Sequence, residues 1–75
     1  MKTNLENILV FATNIRTEND KQIISKILEA HQEIKLWNID QEDIDCVLRI
    51  ESNTLSEEQI INLVAEQNFI CKALE

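Results

Sequence analysis

Neither glycine nor proline occurs anywhere in this chain of 75 residues. Every reversal of direction must therefore be built from Asn, Asp, Ser and Thr, whose short polar side chains hydrogen-bond the local backbone and tolerate turn dihedrals. Walker-type and dinucleotide-binding loops are excluded, because both need glycine where the backbone closes on a phosphate. A chain of this length is expected to hold one domain, residues 1–75, near the lower limit at which a single core suffices without disulfide or metal staples. Regular elements joined by short connections follow as the expectation.

Fourteen acidic residues against seven basic ones give a formal charge of −7. Binding to a phosphate backbone needs clustered Lys and Arg, so neither nucleic acid nor an anionic membrane is expected as a partner. The longest continuous apolar run, Ile8 to Ala12, is far shorter than the roughly 20 residues of a membrane span or a signal-peptide core. A soluble cytoplasmic protein is expected. Cys46 and Cys71 lie far apart inside apolar-patterned segments, which suits buried thiols in a reducing compartment.

Periodicity places the elements. Leu5 to Thr13 is rich in strand formers, with Ile8, Val10 and Ala12 on one face and Leu9 and Phe11 on the other. Thr17 opens a Thr-x-x-Asp helix start, and Ile23, Ile24, Ile27 and Leu28 follow at helical spacing until His31 to Glu33. Ile34 to Ile39 predicts a second strand, and Asp40 to Asp43 a turn. A third strand follows, in which Ile44, Cys46, Leu48 and Ile50 alternate with Asp45, Val47, Arg49 and Glu51. Ser56 with Gln59 forms a capping-box pattern and Leu55 with Ile60 a hydrophobic staple. Asn68 is the expected left-handed stop, and Phe69 to Leu74 the last strand. The order β-α-β-β-α-β predicts an α+β, ferredoxin-like sandwich: a four-stranded antiparallel sheet with two helices on one face.

Over nearly its whole length the chain resembles the heavy-metal-associated domain of copper chaperones and metal-transporting ATPases. Ile15 and Arg16 match the residues that precede the family's Cys-x-x-Cys, Thr17 and Asp20 stand at the two cysteine positions, and Ile24, Ile27 and Leu28 match the helix core. Ile34, Trp37, Ile39 and Asp40 resemble the family's second strand, and Asn68-Phe69-Ile70-Cys71 its ending. The resemblance implies a metal-binding loop between the first strand and the first helix. The residues present remove its chemistry, since soft monovalent copper and zinc are held by thiolates, which a Thr hydroxyl and a carboxylate do not replace. No cofactor is expected, and Thr17 and Asp20 read as helix caps. Weak hard-cation binding is the alternative.

Other candidates carry less. By alternation Cys46 and Cys71 fall on the helix-facing side, and the strand order that the resemblance implies sets them two interstrand gaps of about 4.8 Å apart, too far for a disulfide. His31 is the only histidine and no nucleophile has a recognisable partner, so an enzyme is not expected. Asp40, Glu42, Asp43 and Asp45 lack the glycine and spacing of a calcium loop and read as a solvated turn. Trp37 shares a face with Ile39, toward the core. On the opposite face the alternation places Leu9, Phe11, Leu36, Val47 and Ile70, enough for a patch that takes a protein partner or supports a weak homodimer. The leading expectation is thus an interaction module on a metal-domain scaffold without its ligands. A metal-handling protein with unorthodox ligands and a small-molecule-sensing regulatory domain are the alternatives.

Overall fold

The computed structural model describes residues 8–74. In chain order they form β1 (Ile8–Thr13), α1 (Glu18–Ala30), β2 (Leu36–Asp40), β3 (Val47–Glu51), α2 (Glu57–Ala65) and β4 (Cys71–Ala73). The expected start of the first strand at Leu5 lies outside the described residues. The sheet order is β2-β3-β1-β4, with every paired neighbour antiparallel. Each β-α-β half is therefore split by a strand of the other, which is the ferredoxin-like arrangement.

Both helices start on capping boxes. Thr17 Oγ1 accepts from Asp20 N at 2.9 Å while Asp20 Oδ2 accepts from Thr17 N at 3.2 Å; Ser56 and Gln59 repeat the exchange at 3.2 and 2.8 Å. Two of the otherwise orphaned N–H groups at each helix start are satisfied in this way. The buried stripes are Ile24 with Leu28 and Ile60 with Val64, each pair one helical turn apart. They meet Phe11, Leu48 and Ile50 of the sheet in one core, so both helices cover the same sheet face. Ile23, by contrast, is 39% exposed, and α1 buries a narrower stripe than its sequence suggests. Asn68, at φ 70°, ends the connection after α2 in the left-handed conformation expected of it.

The third strand begins at Val47, three residues later than Ile44. Asp43 Oδ1 accepts from Asp45 N at 2.9 Å and Asp40 Oδ1 from Glu42 N at 3.1 Å. Carboxylates that capture their own downstream N–H groups take those groups away from a ladder. Ile44 consequently sits in the turn, 82% exposed, and Cys46 adopts φ 45° at its end.

The first strand also departs from expectation. Phe11 is fully buried between Leu48 and Ala73, and Leu9, paired with Ile50, packs against the same core. The residues facing away from the helices are Ile8, Val10 and Ala12. Leu9 and Phe11 are thus core residues and do not belong to a surface patch. The physical reason is volume: β1 is apolar on both faces, and the face carrying the phenyl ring fills the space under the helices. Trp37 and Ile39 do pack against the core as alternation predicts.

Candidate functional site

The loop from β1 to α1 is held from four sides. Ile15 is fully buried and anchors it in the core. Thr13, 6% exposed, donates its hydroxyl to the Cys46 carbonyl at 2.7 Å and accepts from Ile15 N at 3.2 Å. Gln41 reaches from the far turn and donates Nε2 to the carbonyls of Ile15 and Thr17 at 3.2 and 2.8 Å. Asn14 Oδ1 accepts from Ile70 N at 2.8 Å and ties the loop to the start of β4.

Thr17 and Asp20, the residues at the resembled family's ligand positions, are engaged in this framework. Besides the capping box, Asp20 Oδ2 also accepts from Arg16 N at 3.3 Å. Their donor set is one hydroxyl and one carboxylate, both turned to backbone N–H groups, and it does not fit a soft metal ion. Among the described residues, no group of three or more His, Cys, Asp or Glu side chains is arranged to hold a metal. Gln41, Thr13 and Asn14 are the loop's main supports, and nothing in their sequence spacing announced it.

Both thiols are free and buried, Cys46 at 2% and Cys71 at 8% exposure. They flank Thr13: Cys71 is its pairing partner on β4, and Cys46 receives its hydroxyl bond on the other side. Burial pushes the Cys71 thiol from its ordinary 9.0 up to about 11. Because the thiolate is the reacting form, Cys71 should label slowly in the native protein at pH near 8, with a rate that climbs only as pH approaches 11. Unfolding should restore fast labelling of both cysteines. The same shift sets a pH limit on stability. The thiol stays protonated in the fold after the unfolded chain has begun to ionise, so its contribution is complete below pH 9.0 and is lost as pH rises toward about 11. Rapid native labelling of either cysteine at neutral pH contradicts this account.

The open sheet face is the remaining candidate. Strand pairing arranges it in rows: Leu36, Glu51 and Ile8; then Asn38, Arg49 and Val10, with Leu74 beside Val10 through a 2.9 Å backbone bond; beyond these, Asp40 pairs with Val47 and Ala12 with Lys72, and continuing the β1–β3 register by one residue brings the two pairs level. Leu36 is 66% exposed, Ile70 60%, and Ile8 and Leu74 each 39%. A depression of about 140 Å³ opens between Ile8, Leu36 and Arg49, and a larger groove of about 370 Å³ runs past Arg16, Ile70, Lys72 and Leu74. Of the five residues expected on this face, Leu36 and Ile70 are exposed, Val47 lies in its floor at 6% exposure, and Leu9 and Phe11 are in the core. Ile8, Val10 and Leu74 take their place. The parity of β4, with Cys71 and Ala73 inward, marks Leu74 as outward; nothing comparable marks Ile8 and Val10.

No family model matches this chain, and no curated protein matches it. Among the described residues no helix is long and apolar enough to cross a membrane.

Proposed function

We propose that this protein is a small binding module that presents its open sheet face to a protein partner, on a scaffold resembling a heavy-metal-associated domain without that domain's metal ligands. It is neither an enzyme nor a carrier of copper or zinc, and its two free thiols fit a cytoplasmic setting. One observation carries the reading. Ile8, Val10 and Leu74 are neighbours on a sheet face that neither helix covers, and Ile8 shares with Leu36 the depression beside Arg49. Single exposed apolar residues are ordinary, whereas contiguous ones mark interaction surfaces. Arg49, paired with Val10 at the middle of the face, is of a residue type enriched at interface centres.

Position-specific photo-crosslinking tests it. A photoreactive amino acid at Leu36 should give discrete adducts in cells, while the same group at Glu29, exposed on α1, should give none. Equal adducts from both positions, or none from Leu36, overturns the proposal.

A further inference from the structure

The charge on the open face differs from that of the molecule. The chain carries −7, yet the face displays Arg49 and Lys72 against Asp40 and Glu51 and is neutral within its rows. Arg16 and Asp45, which line the groove beside Lys72, leave that balance unchanged, and the acidic excess lies elsewhere, with Glu57, Glu58 and Glu66 at the ends of α2 and Glu42 and Asp43 in the turn before β3. Such a face adds no repulsion of its own when it meets another acidic molecule, and the remaining repulsion between net charges is screened by salt. Accepting the open face as an interaction surface, we infer that its occupant is a second copy of this chain, packed face to face about a two-fold axis that runs along the strands between β1 and β3.

The arrangement of charges selects that axis. Rotation about it keeps each row level and reverses the strand order, so β2 meets β4 of the other copy and β3 meets its β1. Asp40 then faces Lys72 of the other copy twice over by symmetry. Arg49 lies over Val10 of the other copy, its aliphatic stem on apolar surface, and Val47 meets Ala12. An axis across the strands instead stacks the Arg49 side chains of the two copies on each other at the centre, a like-charge contact that is unfavourable. Two twisted sheets that pack face to face with strands aligned settle about 30° apart, which the first arrangement accommodates. Strands of 6, 5, 5 and 3 residues, about 4.8 Å apart with roughly 3.4 Å per residue, give a footprint of roughly 300 Å². This is well below the roughly 800 Å² per partner of a standard interface, so the dimer is reversible and concentration-dependent.

Sedimentation equilibrium at about 0.15 M salt, where the Debye length is about 8 Å, should show the full chain in a monomer–dimer equilibrium. Asp40→Lys and Lys72→Glu both alter exposed positions; Asp40→Lys also removes the turn bond from Glu42 N, a loss that an Asp40→Ala control separates from the charge reversal. Each alone should weaken self-association about tenfold by setting like charges face to face, with the circular dichroism spectrum unchanged. An equimolar mixture of the two variants should recover wild-type association, because both contacts then join opposite charges. A mixture of wild type with Arg49→Glu should show no preference for the mixed dimer, whereas such a preference identifies the axis across the strands and overturns the assigned geometry. If the wild-type protein remains monomeric, or the variant mixture fails to recover, the second copy is not the occupant. Adducts from Leu36 with other proteins in the crosslinking experiment would then still support the interaction face.

Discussion

Phe11→Ala is expected to remove a large share of the native stability. Phe11 is fully buried at the centre of the sheet, with Leu48 across one pairing and Ala73 across the other, and truncation of a buried phenylalanine costs about 3–5 kcal/mol. For a chain of 75 residues the whole stability is on the order of 4–11 kcal/mol at about 0.05–0.15 kcal/mol per residue, so the loss consumes a large share of it. The only tryptophan, Trp37, packs against the same core and supplies the readout: urea unfolding followed by its fluorescence should show a midpoint lowered severely or no cooperative transition. Leu36→Lys, on the open face, should shift stability by no more than about 0.5 kcal/mol. A Phe11→Ala variant that unfolds like wild type means that β1 presents Phe11 outward.

Thr13→Val should have the next largest effect, although valine has the same shape. The lost hydroxyl leaves the Cys46 carbonyl and the Ile15 N–H without their partner in a buried setting, and each stranded group costs about 1–3 kcal/mol. Two such groups sum to about 2–6 kcal/mol, and a water that enters to replace the hydroxyl brings the expected destabilisation to about 2–4 kcal/mol. Thr13→Ser keeps both hydrogen bonds and loses one methyl, at about 1 kcal/mol. The ordering is what the experiment reads: chemical denaturation should rank wild type above Thr13→Ser and Thr13→Val last. Equal stability of the two variants removes the hydroxyl from the account of how the loop is held.

The elements were legible where local chemistry decides them. Capping boxes at Thr17 and Ser56 and the left-handed stop at Asn68 act through a few neighbouring residues, so sequence spacing carries them. The alternation of Leu48 and Ile50 with Arg49 and Glu51 likewise fixes which side of β3 faces the core. Two features were not legible. In the turn before β3, Asp43 offered its carboxylate to Asp45 N, and this competition shortens a strand that alternation alone extends to Ile44. In β1 both faces are apolar, so alternation describes the strand without orienting it. The supports of the loop were hidden for a further reason: Gln41 contacts Ile15 and Thr17 across 26 and 24 residues of sequence, a separation at which no local pattern operates.

The two-sided character of β1 poses a problem for the folding chain as well as for its reader. A displacement of β1 by one residue against β3 would turn Ile8, Val10 and Ala12 toward the helices and carry Leu9 and Phe11 outward, and the apolar surface buried would change less than in a strand with one polar face. Hydrophobicity therefore discriminates weakly between the correct pairing and its nearest competitor. Discrimination falls to shape and polarity: the phenyl ring of Phe11 has its space only under the helices, and Thr13 finds the Cys46 carbonyl only in the native register. A misaligned strand leaves that carbonyl buried without a donor. The hydroxyl of Thr13 thus stabilises the native register of the central strand and, by the same two bonds, withholds that stability from a shifted one.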